Sequence, residues 1–236
     1  MLEGRRTEPE WMDGPEFGPA EVADTFRFLV PVNRVFGGIG PGLDFFRRES
    51  RTWDPGRTYC VLDAGAGVGD FSRHLARWAR RSGQRLVIRA VDQHPLVVEE
   101  GRARSRDYPE ITFAEEDVLA LEGQMCDYVH ASQFVHHFPD DEVVPLLNHL
   151  RRLCRHKVVV NDLVRAPLHY LGTWLLTLFG PAVFRHDARI SVRRGFKMDE
   201  LAALLHAGGV HDYRLERHFL YRFLLIVRSN PNIGKG

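Results

Sequence analysis

The sequence predicts an α/β fold with a mostly parallel sheet covered by helices on both faces. Three observations carry this. From Tyr59 onward, short apolar runs alternate with segments of helical spacing. Three glycines at alternate positions, Gly65, Gly67 and Gly69, punctuate the first strand-to-helix junction. The chain has 236 residues and is 44% hydrophobic, enough for one sizeable core. Strand–helix alternation needs crossover connections, and these set the strands parallel and bury them between helical layers.

The elements follow in order. Residues 1–19 are polar and rich in Pro and Gly, and read as a mobile arm. Residues 20–52 read as a helical cap, with pieces at Ala20–Leu29 and Asn33–Arg48 broken by Pro31 and "GGIGPG". The α/β domain takes residues 53–229. "YCVLDA" is a strand, and "DFSRHLARWARRS" a helix with Phe71, Leu75 and Trp78 on one face. "LVIRAVD" is the next strand, and Pro95 opens the helix "PLVVEEGRARSR". "ITFAEED", "CDYVHAS" and "KVVVND" are three further strands, the last preceded by a helix that Asp140 and Asp141 open. An insert, residues 164–195, breaks the rhythm. Its uncharged core, Leu168–Phe184, is shorter than the about 20 apolar residues of a membrane span. "MDELAALLHAGG" is a helix stopped by Gly208 and Gly209. "HDYRLERHF" and "LYRFLLIVRS" read as a hairpin at the sheet edge, and residues 230–236 as a frayed tail.

Charge and cysteine usage narrow the class. A net charge of +1 gives no global field for nucleic acid, and the paired arginines, such as Arg80–Arg81, read as solvated helix ends. Cys60, Cys126 and Cys154 are odd in number and far apart, which suits reduced core thiols and a cytoplasmic location. The N-terminus has no apolar run of signal length.

The glycine turn lets backbone approach a ligand closely. A dinucleotide fingerprint would carry a glycine where Asp70 stands, and an acid there repels a pyrophosphate. With Asp63 just before the turn, a ligand bearing an ammonium and a sulfonium suits the site better. Gly65 and Gly67 are expected to face it, whereas Gly69 reads as permitting close helix–strand packing.

"VLDAGAGVGDFS" resembles the first motif of the class I S-adenosylmethionine-dependent methyltransferases. "AVDQHP" then places Asp92 at the end of the second strand, "EEDVLAL" places Asp117 and Val118 after the third, and "ASQFVHHFPDDE" follows the fourth. "SVRRGFKMDELAALLHAGG" resembles the penultimate helix of the ubiquinone/menaquinone-biosynthesis-like and small-molecule O-methyltransferase subgroup. The resemblance runs from Tyr59 to Val227. It implies a Rossmann-like methyltransferase fold: seven strands, mostly parallel, with an antiparallel C-terminal hairpin strand. It also implies S-adenosylmethionine as cofactor, held by Asp63, Gly65, Ala66, Gly67, Asp92, Gln93, Asp117, Val118, Ser132 and Gln133. Arg34 could pair with the methionine carboxylate.

An oxygen acceptor also needs a base, and an imidazole suits that role. His136 or His137 fits, because their loop leaves the fourth strand's carboxyl end; His186 beside Asp187 is a second candidate. His169, Tyr170, Trp174 and Phe184 make the insert a lid over an apolar or aromatic small molecule, or else a homodimer face. No metal is expected: Asn161–Asp162 ends the fifth strand, but Ser132 and Gln133 stand where a magnesium-binding carboxylate would be needed. The insert lacks an opposing basic face, which argues against stable membrane anchoring. No Asn/Asp-Pro-Pro-aromatic stack follows the fourth strand, so nucleic acid is not the expected acceptor. Methylation at a phenolic or carboxylic oxygen is the favoured reading. Carbon methylation of a quinone or polyketide precursor, and a non-catalytic cofactor-binding protein, are the alternatives.

Overall fold

The computed structural model describes residues 4–14 and 18–229. Seven strands form one sheet in the order β3-β2-β1-β4-β5-β7-β6. They are β1 Thr58–Ala64, β2 Arg85–Asp92, β3 Ile111–Glu115, β4 Cys126–Ser132, β5 Cys154–Leu163, β6 Tyr213–His218 and β7 Arg222–Arg228. β1 to β5 are parallel, and β7 runs antiparallel between β5 and β6. The hairpin closes this edge of the sheet, with β7 against β5 and β6 outermost. β1 and β4 are neighbours although two strands separate them in sequence, so connections leave in opposite directions there and open a crevice at the carboxyl ends.

The helices are α1 Pro19–Val35, α2 Gly40–Glu49, α3 Asp70–Ser82, α4 Pro95–Arg104, α5 Asp140–Leu153, α6 Pro167–Leu176, α7 Ala182–Arg194 and α8 Met198–Ala207. Two apolar layers sandwich the sheet. Leu147 and Leu150 of α5 pack with Leu201 and Leu205 of α8 on one face. Phe46 of α2 packs with Phe71 and Leu75 of α3 on the other. Gly69 belongs to this packing: a Cβ there would lie 2.3 Å from Phe113 Cζ. All three cysteines are free thiols, Cys126 and Cys154 buried and Cys60 half-buried.

Two expectations are corrected. Pro31 does not break the cap; it lies inside α1, and the chain turns only at Phe36–Ile39. Pro31 and Arg27 both sit on the exposed side, where solvent can satisfy the carbonyl that the proline leaves without a donor.

The N-terminal arm is docked over its described residues 4–14. The Arg5 guanidinium donates to Arg194 O at 2.8 Å and to Phe138 O at 2.9 Å, pairs with Asp140, and lies 3.6 Å from the Phe196 ring centroid. The Asp187 carboxylate accepts from the Trp11 and Met12 amides at 2.8 and 3.0 Å. These partners lie more than a hundred positions away in sequence, so local composition could not reveal them. Residues 1–3 and 15–17 of the expected arm, and the tail 230–236, lie outside the described residues.

The insert holds two helices, α6 and α7. They meet at Gly180–Pro181, where a Cβ on Gly180 would lie 2.6 Å from Phe184 Cδ1. No residue of α6 is buried, and Phe179 beyond it is 94% exposed. Among the described residues, no helix is long and apolar enough to cross a membrane.

Candidate active site

The crevice opens into a cavity of about 1170 Å³. This exceeds the about 300–1,000 Å³ usual for one small ligand and leaves room for two molecules side by side.

The glycine turn lines it. Gly65 and Gly67 have φ of 61° and 54°, in the left-handed region that side chains disfavour. A Cβ on Gly65 would lie 2.3 Å from Phe134 Cδ2, whereas one on Gly67 would meet only Phe26, at 3.6 Å. The Gly67 amide donates to Asp92 Oδ2 at 2.9 Å, and the His94 amide to Asp92 Oδ1 at 3.1 Å. Burial holds the Asp92 carboxyl above the usual carboxylate range, against the pull of these two amides. Ala66, Gln93, Asp117, Val118, Ser132 and Gln133 line the same cavity. Asp117 also caps its own turn, accepting from the Leu119 amide at 2.9 Å.

Asp63 lines the cavity but is already engaged. Its carboxylate meets His130 Nδ1 at 2.8 Å and accepts from Ser72 Oγ at 2.5 Å. It ties β1 to β4 and α3, a role its sequence position did not suggest. Arg34 is exposed on α1 and does not line the cavity, so the pairing expected of it has no geometric support. The buried arginines at the cavity are Arg194 and Arg222.

The histidine loop lines the cavity too. Arg5 and Arg194 collect its carbonyls: Arg5 donates to His136 O and Phe138 O, and Arg194 to His136 O and His137 O. His136 is 2% exposed and held between two acids. Nδ1 lies 2.6 Å from Asp162 Oδ1, and Nε2 lies 3.4 Å from Glu10 Oε1. Burial alone would lower its pKa, but the charges and hydrogen bonds of Asp162 and Glu10 outweigh this and raise it to about 9. At neutral pH His136 is therefore an imidazolium. His137 lines the cavity half-buried, with Nε2 3.8 Å from Glu10 Oε1. The ligand atoms of Glu10, His136 and His137 fall within 4.8 Å of one another. Sequence spacing suggested no metal there because Glu10 lies 126 positions from His136. Direct contact between acid and imidazoles accounts for the grouping.

His186 does not line the cavity. It bonds its neighbour Asp187 at 2.8 Å and stacks on Trp11 at 3.9 Å, which places it with the docked arm. In the insert, His169 and Phe184 line the cavity, while Tyr170 and Trp174 do not. The helical repeat explains this: Leu168, His169, Gly172, Thr173 and Leu176 share the inner face of α6, and Tyr170 and Trp174 lie off it, beside Arg193 and Arg189. Sequence reasoning missed Glu10, Arg222 and the pairing of Asp162 with His136.

Residues 61–157 match a family described as methyltransferase domain. Over these residues, from β1 into β5, the chain carries a methyltransferase domain, and the arm, cap, insert and hairpin lie outside the match. No curated protein matches its sequence. Its fold is similar to that of the plantazolicin methyltransferase BamL, at TM-score 0.68 and 15% identity over 93% of each chain. The magnesium protoporphyrin IX methyltransferase of Synechocystis PCC 6803 superposes at TM-score 0.56 and 15% identity, over 92% of this chain and 100% of the other. The citrinin polyketide synthase CMeT domain does so at TM-score 0.61 and 13% identity; the match covers 80% of this chain and spans about half, 51%, of that one. These identities establish the shared fold.

Proposed function

We propose that this chain is an S-adenosylmethionine-dependent methyltransferase that methylates a small, apolar or aromatic acceptor at a phenolic or carboxylic oxygen, with His137 as the general base. One observation carries the reading: a single cavity is lined by the glycine turn and Asp92 and also by Glu10, His136 and His137. The glycine turn and Asp92 fit S-adenosylmethionine. At Gly67 the turn leaves bare backbone, where a Cβ would meet only Phe26, and Asp92 presents a buried carboxylate already aimed by two amides. The bound cofactor supplies a methyl group on a positively charged sulfur.

The chain's own residues do the rest. Gly65 and Gly67 admit the amino-acid end of the cofactor, and Asp92 accepts from the ribose hydroxyls. Asp117 and the Val118 amide lie where adenine would be read. His169 and Phe184, on the inner side of the insert, close the acceptor pocket and exclude water. His136 is a positioning residue: its nitrogens are committed to Asp162 and Glu10, so it offers no lone pair. His137, half-buried where it lines the cavity, takes the acceptor's proton.

The direct test is incubation with methyl-labelled S-adenosylmethionine and a panel of phenols, aromatic acids and electron-rich carbon acceptors, followed by product mass spectrometry. Label on oxygen supports the reading, and label on carbon alone refutes the oxygen assignment. Calorimetry with S-adenosylmethionine and NAD side by side should give heat only for the former.

Two substitutions probe the cofactor end. Asp92→Ala should weaken S-adenosylmethionine binding by about 2 kcal/mol or more, since charge-assisted bonds are lost. Unchanged affinity in a folded variant would remove Asp92 from the site. Gly67→Val should abolish binding while far-UV circular dichroism stays near native. The φ of 54° disfavours valine, and its branches enter space the ligand needs. Retained affinity would place the cofactor elsewhere.

A further inference from the structure

Arg222 is the first residue of β7, directly after a hairpin turn whose Leu220 and Tyr221 have φ of 59° and 58°. Two successive left-handed residues without glycine are costly, and such strain collects where a side chain must be held in place. The guanidinium is 3% exposed and lines the cavity. Nε donates to Phe36 O at 2.9 Å and Nη2 to Gln133 Oε1 at 3.3 Å. Gln133 is itself left-handed, at φ 53°. Nη1 is buried and has no partner among the described residues.

Among the described residues, no carboxylate forms an ion pair with Arg222. Asp162 acts on Arg222 only through space, beyond ion-pair distance. His169, also on the cavity wall, is held neutral: burial, with the nearby Arg222 charge, lowers its pKa to about 4, and Nδ1 donates to Val164 O at 2.9 Å. Buried Arg165 shows the contrast, with Glu200 oxygens at 2.6 and 2.7 Å. A buried cation held only by neutral acceptors is expensive unless a bound anion completes it.

We propose that the acceptor carries a carboxylate and that Arg222 binds it, through Nη1, as the residue that selects acidic over neutral acceptors. The inference rests on the function proposed above. It also narrows that reading. A carboxylate paired with a guanidinium is a poorer nucleophile, so the carboxylate is the handle and a phenolic oxygen is the methylated atom. Such an acceptor is an aromatic hydroxy acid.

The test compares wild type, Arg222→Gln and Arg222→Lys, each first titrated with S-adenosylhomocysteine. The product-saturated proteins are then titrated with aromatic hydroxy acids and the matching primary amides. For wild type, at least one acid should bind roughly 10- to 100-fold tighter than its amide. Arg222→Gln should erase that preference, and Arg222→Lys should keep part of it. S-adenosylhomocysteine affinity should stay within about twofold throughout. Equal binding of acids and amides, no binding of any acid, or a preference that survives in Arg222→Gln overturns the proposal. A fall in S-adenosylhomocysteine affinity that matches the loss of acid binding also overturns it, because the anion on Arg222 is then the cofactor's own carboxylate. Failure of wild type to bind S-adenosylhomocysteine at all would instead strike the methyltransferase reading.

Discussion

His136→Ala should destabilise the folded protein by about 3–5 kcal/mol at pH 7. The imidazolium lies between the carboxylates of Asp162, which is fully buried, and Glu10. Its removal leaves Asp162 charged or forced to protonate in an apolar setting, and frees the docked arm from one of its contacts. The pH dependence has a definite sign. The folded pKa of His136, about 9, lies above the ordinary histidine value of about 6.5. Its contribution is therefore complete below about 6.5 and is lost as pH rises through about 9. The Asp162 and Glu10 carboxyls are held below the usual range: burial opposes this, but the imidazoles outweigh it. Their contribution is present above that range and is lost as pH falls through their folded values. The clamp is thus strongest in mildly acidic solution. Urea denaturation at a series of pH values should show wild type losing stability between about 6.5 and 9, and the variant flat there. A variant with wild-type midpoints across the series would dismantle the clamp.

His137→Ala should behave in the opposite manner. It should leave stability near wild type, because the side chain is about a quarter exposed, at 24%. Turnover should fall by about 10²- to 10⁴-fold, the usual range for a lost general base. Cofactor affinity should change far less than turnover, since the proposed role lies on the acceptor side. The loss should shrink for acceptors with a more acidic hydroxyl and as pH approaches the acceptor's own pKa. A pH–rate profile of both proteins with one accepted substrate checks this. If His137→Ala keeps the wild-type rate and profile, the base is not His137, and methyl transfer proceeds by alignment alone or through another group.

These two adjacent histidines are equivalent to any pattern read along the chain. Their loop was legible, because "QFVHHF" follows an apolar strand and strand ends in an open α/β sheet face the ligand. Their division of labour was not. It depends on Asp162, which reaches His136 across two neighbouring strands, and on Glu10, which arrives from the far end of the chain.

The sequence by itself determined the alternating layers, the glycine turn, Asp92 at the end of its strand and the methyltransferase domain. All of these rest on short-range signals: apolar period, turn chemistry, and residues placed at a strand end by the strand's own length. Helix α3 is legible for the same reason, since Gly69 and Gly83 bound it and its apolar residues recur at helical spacing. Only the tertiary structure decided which side chains share the cavity. It turned Tyr170 and Trp174 off the inner face of α6, left Arg34 exposed, set His186 against Trp11, committed Asp63 to His130 and Ser72, and brought Arg222 and Glu10 in. The physical reason is that electrostatic contacts form between atoms brought together by packing, whatever their separation in sequence. Local spacing can place a residue on an element, but only the packing of the arm, insert and hairpin against the sheet sets its partners, its charge state and its role.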